Sequence, residues 1–279
     1  MHVRAFAKIN LSLRVTGTRP DGFHELDTVF QSIALHDTLT IRRRPGALRL
    51  TCDQPGLPVD GRNLVVRAAR AVWKASGRRG APRGVAIDLV KRVPREAGLG
   101  GGSSDAAATL RALGKLWGVD NKRLRAIAPA LGADVPFFLT AGTARGLGRG
   151  DVLVPLSDGK PAWVVLALPD FGVSTAEAYA WWDADRKTLA LSPSKGELTN
   201  DLQRPVAKRH ALVARIVGAL RRAGASHAAM SGSGSAVFGL FGRRSAALRA
   251  AHSLSARVCP HTLVTRTLTR ASCRRLAGA

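Results

Sequence analysis

The chain is short of acidic residues, cysteines and aromatics. Only 19 Asp and Glu stand against 43 Lys and Arg among 279 residues, a formal net charge of +24. Such a field attracts polyanions, whether nucleic acid, an anionic membrane surface or phosphorylated small molecules. The arginines are scattered (Arg42 to Arg44, Arg78 and Arg79, Arg221 and Arg222, Arg243 and Arg244, Arg274 and Arg275), and aromatics are only 5% of the residues. A dedicated nucleic-acid binder clusters its basic residues and interleaves aromatics, so no dedicated nucleic-acid partner is expected. Cysteine occurs three times, at Cys52, Cys259 and Cys273, with no CxxC spacing. Neither a disulfide framework nor a zinc motif follows, and the thiols read as buried or incidental. Long apolar runs are missing as well. WVVLAL, residues 163–168, suits a buried strand and is far too short to span a bilayer. The opening MHVRAFAKIN has no apolar signal core, so a cytoplasmic chain with no membrane partner is expected.

What is abundant is glycine in one place. PREAGLGGGSSDAAA, residues 94–108, holds four glycines within five positions, then two serines, then an alanine-rich run. Around it the pattern is mixed α/β. VRAFAKINLSLRVTG alternates apolar and polar, as a half-buried strand does, and stops at Gly17. RPDGFHELDT is a turn by Pro20, Asp21 and Gly22. TVFQSIAL and DTLTIRRR read as two strands with His36 and Asp37 between them. NLVVRAARAVWKASG has the helical period and GVAIDLVKRVP is a strand running into the glycines. SDAAATLRALGKLWG is a helix, with Ser103 or Ser104 as its N-cap and Asp105 in its first turn. Further on, AWVVLALP and HTLVTRTLT read as strands, STAEAYAWWD, ALVARIVGALRRAGA and SAALRAAHSLSARV as helices, and residues 189–197 as loop. The length allows two packed domains, with a division expected near 145–160 and placed at 1–150 and 151–279.

Glycines between a strand and a helix N-terminus let backbone N–H groups converge and let a phosphate approach the main chain. The helix dipole adds roughly half a positive charge there. Gly98, Gly100, Gly101, Gly102, Ser103 and Ser104 therefore form a candidate phosphate cradle; a purely structural turn is the alternative. The P-loop pattern fails because no lysine follows the glycines, and GxGxxG fails in either register. The protein-kinase glycine loop leads into a strand, whereas here a helix follows.

PREAGLGGGSSDAA resembles the second motif of the GHMP kinases, the superfamily of galactokinase, homoserine kinase and mevalonate kinase. AKINLSL near the start and MSGSGSAVF near the end fit the layout of that family. AKINLSLRVTGTRPDGFHELDTVFQSI, LGADVPFFL and TNDL narrow the resemblance to the branch acting on a cytidine-diphosphate ester of methylerythritol in non-mevalonate isoprenoid synthesis. The resemblance implies an α/β (α+β) two-domain fold: an N-terminal ribosomal-protein-like βαβ domain and a C-terminal ferredoxin-like domain of sheet and helices. The active site would lie in the cleft between them. It implies phosphoryl transfer from ATP to the C2 hydroxyl of the small-molecule substrate. The ATP phosphates would lie on Pro94, Gly98, Leu99, Gly100, Gly101, Gly102, Ser103 and Ser104. Ser104 would also touch the metal or a phosphate oxygen. Mg²⁺ is implied, with no all-protein metal site in the sequence, so ATP and water would hold it.

The other site residues rest on the same resemblance. Asp134 sits between Ala133 and Val135 in LGADVPFF. Alone it reads equally as a cap or turn residue, and the resemblance makes it the catalytic base. Lys8 alone reads as a solvated strand residue; the resemblance pairs it with Asp134, facing the reacting hydroxyl and phosphoryl group. Asn10 lies two residues on and shares the strand face of Lys8, which suits substrate positioning or a satisfied polar residue at a strand edge. Phe23 and His24 match the segment that holds the cytosine, the aromatic by stacking and the histidine by hydrogen bonding to its edge. Phenylalanine stands where relatives often carry tyrosine. Tyr179, the only tyrosine, matches the second aromatic of the sandwich or else packs into the core. The turn at residues 232–234 supports the phosphate loop or is simply tight, and Asn200 and Asp201 read as structural. Two rival readings stay open, another GHMP kinase and a basic RNA-binding protein.

Overall fold

The computed structural model of the chain describes residues 1–188 and 199–278. The expected loop at 189–197 falls outside them. β1 (His2–Thr18) and β2 (His24–Ala47) form a long antiparallel hairpin around the Pro20–Gly22 turn. β2 is one continuous strand, which corrects the expected break at His36 and Asp37. Asp37 is fully buried in mid-strand because it has partners: it pairs with Lys91 Nζ and accepts from Val93 N at 2.8 Å.

β3 (Arg49–Cys52), α1 (Leu64–Ala75) and β4 (Arg83–Val90) make a βαβ unit with its two strands parallel and adjacent. Asn63 caps α1, its Oδ1 accepting from Val65 N at 2.9 Å. Then come α2 (Gly101–Trp117), α3 (Asn121–Ile127), α4 (Val135–Thr140), β5 (Thr143–Gly148) and β6 (Val152–Pro155). The first sheet runs β3-β4-β2-β5-β6, with β1 on the other side of β2. α1 and α2 lie on it, and the small Ala106, Ala107 and Ala108 let α2 approach the strands closely.

The second sheet is antiparallel. β7 (Trp163–Ala167) is followed by α5 (Thr175–Thr188), α6 (Gln203–Arg209), α7 (Ala211–Arg222), β8 (His227–Met230), β9 (Val237–Phe241), α8 (Arg244–Arg257) and β10 (Thr262–Arg266). Its strand order is β10-β7-β9-β8. α7 and α8 cover one face through Val213, Ile216, Leu220, Ala247 and Leu254. The other face presents Val164, Leu166 and Phe238 to Ala7, Ile9, Ile33, Val93 and Leu99 of the first half. The first sheet thus extends to Pro155 and the second begins at Trp163. α9 (Arg270–Leu276) returns to the first half, where Arg4 N donates to Ala277 O at 2.9 Å and Cys273 packs on Phe6.

β1 serves three cores. Its odd-numbered apolar residues alternate as the sequence predicts, yet Val3 and Ala5 lie under α1 and α2, Ala7 and Ile9 between the two sheets, and Leu13 and Val15 in the second half. Irregularities in its pairing with β2, between Phe6 and Lys8 and between Asn10 and Ser12, rotate the strand as it goes. The even-numbered Lys8 and Asn10 consequently meet the cleft.

Candidate active site

A cleft of 1210 Å³ runs between the two halves, with the glycine loop at its centre. Gly98 and Gly100 have φ of 71° and 69°, the left-handed region that favours glycine. Space forbids side chains there too. A Cβ on Gly98 would lie 1.9 Å from Ser231 O, and one on Gly100 would lie 2.7 Å from Phe138 Cζ. Leu99 between them is 1% exposed in the core between the sheets, a burial that contributes about 1.5–3 kcal/mol to holding the loop. Its carbonyl accepts from Lys8 N at 3.1 Å, and the Gly98 carbonyl accepts from Ser231 Oγ at 3.0 Å. The loop is therefore clamped by β1 on one side and the β8–β9 turn on the other. Asn200 pins that turn, its Nδ2 donating to Met230 O at 2.8 Å and Gly232 O at 2.7 Å. Asp201 accepts from Val15 N at 2.8 Å. Both act structurally, as the sequence suggested.

α2 starts at Gly101 with Gly100 at its N-cap and no side-chain cap. This corrects the expected cap at Ser103 or Ser104. The N–H groups of Gly101, Gly102 and Ser103 belong to the first turn and have no intrahelical acceptors. Ser103 lines the cleft. Ser104 does not: it is 2% exposed and its hydroxyl donates to Phe6 O at 2.6 Å. Its hydroxyl is committed to β1 and is not presented to a metal or phosphate. Asp105 also departs from the expected dipole role. It is buried under the loop, with Oδ2 2.7 Å from Lys91 Nζ and, among the described residues, no hydrogen-bond partner for Oδ1.

Lys8 and Asp134 face each other beside Gly100, with Nζ to Oδ2 at 3.4 Å. Lys8 is 4% exposed, which removes the solvated-strand alternative. Its Nζ also donates to Asn10 Oδ1 at 2.6 Å, and Asn10 Nδ2 donates to Thr28 Oγ1 at 2.7 Å. Asn10 therefore holds the lysine, and among the described residues its second Nδ2 N–H has no partner. Asp134 occupies the N-cap position of α4 without making a cap bond. Its carboxylate is turned to the lysine and the cleft.

At one end of the cleft, His24 stacks on Tyr179 with centroids 4.5 Å apart and planes 20° apart. Burial pushes the Tyr179 hydroxyl above its usual range, and the charge of Asp134 adds to this. Phe23 is 54% exposed, with the Arg149 guanidinium 5.1 Å from its ring centre. Among the described residues Phe23 makes no ring–ring contact. The structure thus joins His24 to Tyr179 and leaves Phe23 opposite Arg149 at the mouth. At the other end Leu57, Pro58, Asn63 and Leu64 form the lining, none of which the motifs flagged. Asp183 was missed too, although its spacing four residues after Tyr179 places both on one helix face. It contacts His24 Nε2 at 3.0 Å.

Residues 63–142 match the GHMP kinases N terminal domain and residues 190–261 match the GHMP kinases C terminal family. The 4-diphosphocytidyl-2-C-methyl-D-erythritol kinase of Solibacter usitatus is 46% identical over 273 residues, covering 89% of this chain and 84% of that protein. The kinase of the same name from Moorella thermoacetica is 41% identical over 283 residues, covering 95% and 98%. A crystal structure of 4-(cytidine 5'-diphospho)-2C-methyl-D-erythritol kinase superposes with a TM-score of 0.78 at 37% identity, covering 96% of this chain and 99% of that one. The L. major mevalonate kinase shares the fold, with a TM-score of 0.71 at 16% identity over 96% of each chain. The chain belongs to the GHMP kinases and, within them, to the 4-diphosphocytidyl-2-C-methyl-D-erythritol kinases.

Proposed function

We propose that this GHMP kinase transfers the γ-phosphoryl group of ATP to the C2 hydroxyl of 4-diphosphocytidyl-2-C-methyl-D-erythritol, a step of isoprenoid synthesis. The observation that carries the reading is the Lys8–Asp134 pair, 3.4 Å apart, beside the glycine loop. Phosphoryl transfer asks little covalent work of a protein; positioning and charge stabilisation supply most of the rate. Asp134 takes the proton from the attacking hydroxyl. Lys8, held by Asn10, faces that carboxylate at 3.4 Å and offsets charge on the transferring group. The first-turn N–H groups of α2 hold the phosphates, with Pro94, Gly98, Leu99, Gly100, Gly101, Gly102 and Ser103 shaping the cradle. Leu57, Pro58, Asn63 and Leu64 take the nucleoside of ATP. Phe23, His24 and Tyr179 take the cytidine.

Near the cradle the carboxylates are Glu96, Asp105, whose neighbour is an ammonium, and Asp134, which is paired with Lys8, and among the described residues no three such groups come together. That donor set suits a Mg²⁺ carried mainly by ATP oxygens and water, not a protein cage. Bound there, Mg²⁺ would neutralise phosphate charge. Two domains are proposed, dividing within residues 156–162, with α9 returning to the first. Among the described residues no helix is long and apolar enough to cross a membrane. A cytoplasmic reaction, with ATP and a soluble diphosphate as partners, is the setting this reading requires.

The test is ATP-dependent ADP formation with 4-diphosphocytidyl-2-C-methyl-D-erythritol, beside a control lacking the cytidylyl group. Turnover with the full substrate only supports the kinase and its cytidine requirement. No turnover with either, from protein that binds ATP, would direct the reading to another GHMP substrate. Salt-sensitive RNA binding without ATP turnover would favour the RNA-binding reading instead.

A further inference from the structure

His24 is held from three sides. Tyr179 stacks on its face, Trp182 meets it edge-on at 5.5 Å and 88°, and Asp183 Oδ1 lies 3.0 Å from its Nε2. Its side chain is only 12% exposed, whereas that of Asp183 is 47% exposed and lines the same cleft. An ionised carboxylate can only accept hydrogen bonds. The contact therefore requires a proton on Nε2. In the neutral ring that leaves Nδ1 as a bare acceptor. Among the described residues Nδ1 has no hydrogen-bond partner.

We propose that Asp183 is a positioning residue for nucleobase choice: by fixing the Nε2–H tautomer of His24 it leaves Nδ1 as an acceptor that a cytosine amine satisfies and a uracil carbonyl does not. The inference rests on the reading that His24 meets the base. Cytosine carries a donor N4–H₂ at the position where uracil has an acceptor oxygen. An acceptor facing that position pairs with the first and repels the second. A site that is built to be hydrogen-bonded rejects an analogue that leaves it unpaired far better than a pocket rejects a shape. The resemblance implies that His24 meets the base. The structure adds the group that decides which of its nitrogens is donor and which acceptor.

The experiment compares the cytidine substrate with its uridine counterpart in the wild type, Asp183→Asn, Asp183→Ala and Asp183→Glu. Asparagine can donate as well as accept, and alanine does neither, so both release the tautomer. Each should lower the cytidine-to-uridine ratio of kcat/KM by about tenfold, as expected for one specific hydrogen bond. The loss should fall on KM for the cytidine substrate, with KM for ATP unchanged. Glutamate keeps an acceptor and should retain most of the ratio. ¹⁵N spectra, with His24 assigned by its loss in His24→Gln, should place the wild-type proton on Nε2 and show mixed tautomers in Asp183→Ala. An Nδ1–H tautomer in the wild type, or an unchanged ratio in both releasing variants, overturns the proposal. ADP formation without any cytidine preference overturns it while leaving kinase activity standing. The spectra read the tautomer even in protein that turns over neither substrate.

Discussion

The centre of the cleft and the end proposed to take the base are made of different parts of a polypeptide. The centre is main chain: two left-handed glycines, the first turn of α2, and carbonyls fixed by Lys8 N and Ser231 Oγ. The base end is side chain: Phe23 and His24 from the β1–β2 hairpin, Tyr179 and Asp183 from α5, Arg149 from the β5–β6 turn. The centre is packed until a single added methyl would collide with backbone, 1.9 Å from Ser231 O at Gly98. The base end leaves Phe23 54% exposed. Phosphate is the same in every ligand and suits a rigid backbone cradle. A base must be told from other bases, and that end of the cleft offers side-chain rings, donors and acceptors for the purpose.

The difference can be broken first where both ends converge, at the reacting hydroxyl. Asp134→Asn should lower kcat by about a thousandfold, the scale of a lost general base. ATP affinity, read by calorimetry, should stay within about twofold, because the cradle does not use that carboxylate. Turnover like the wild type's would remove Asp134 as the base. Gly98→Ala attacks the centre alone. The Cβ meets a carbonyl that the β8–β9 turn cannot withdraw, so the loop must shift, and a displacement near 1 Å costs about a hundredfold in kcat/KM for ATP. Affinity for the cytidine substrate should hardly change. Equal losses for both ligands would show that the two ends are not separable.

The same division explains what could be read before the structure. GLGGGSSDAAA announces a turn, a helix start and an anion in consecutive residues, because backbone chemistry is local. The mixed α/β pattern followed from periodicity for the same reason, whereas the two-domain plan came from the resemblance. Ser104 misled because a serine at a helix start is usually a cap; here the left-handed Gly100 begins the helix and the hydroxyl reaches Phe6 O across 98 residues of sequence. Asp37 misled because its partner, Lys91, lies 54 residues away. Lys8 and Asp134 were legible only through resemblance, since a strand lysine and a turn aspartate are commonplace until folding sets them 3.4 Å apart. Asp183 gave one local signal, its helical spacing from Tyr179, which means nothing until His24 arrives from the hairpin. Nothing in the cleft accounts for the full +24 charge.

Phe23→Ala sharpens the comparison from the side-chain end. A base stacked on an aromatic ring is worth about 1–3 kcal/mol, so KM for the cytidine substrate should rise about tenfold. Phe23→Tyr keeps the ring and should keep the affinity. KM for ATP should stay put in both. If alanine weakened ATP equally, the ring would be supporting the hairpin and not the base.

The smallest effect tests whether the backbone cradle also depends on a charge beneath it. Asp105 is 2% exposed under Gly101, and burial raises its carboxyl to about 8, with Lys91 pulling it down and Asp37 pushing it up. The unfolded chain has it near 3.9. Between those values the folded state keeps a proton that the unfolded state has lost. Its contribution to stability is therefore full below about pH 4 and disappears as the pH rises through about 8. Asp105→Asn has no proton to lose there and keeps an oxygen for Lys91. From pH 6 to 9 the melting temperature of the wild type should fall about 3 °C or more beyond that of the variant, the response to about 1 kcal/mol in a chain of this size. Parallel slopes would mean that the carboxylate stays ionised beneath the loop throughout, and that the phosphates bind above a fixed negative charge which Lys91 alone must offset.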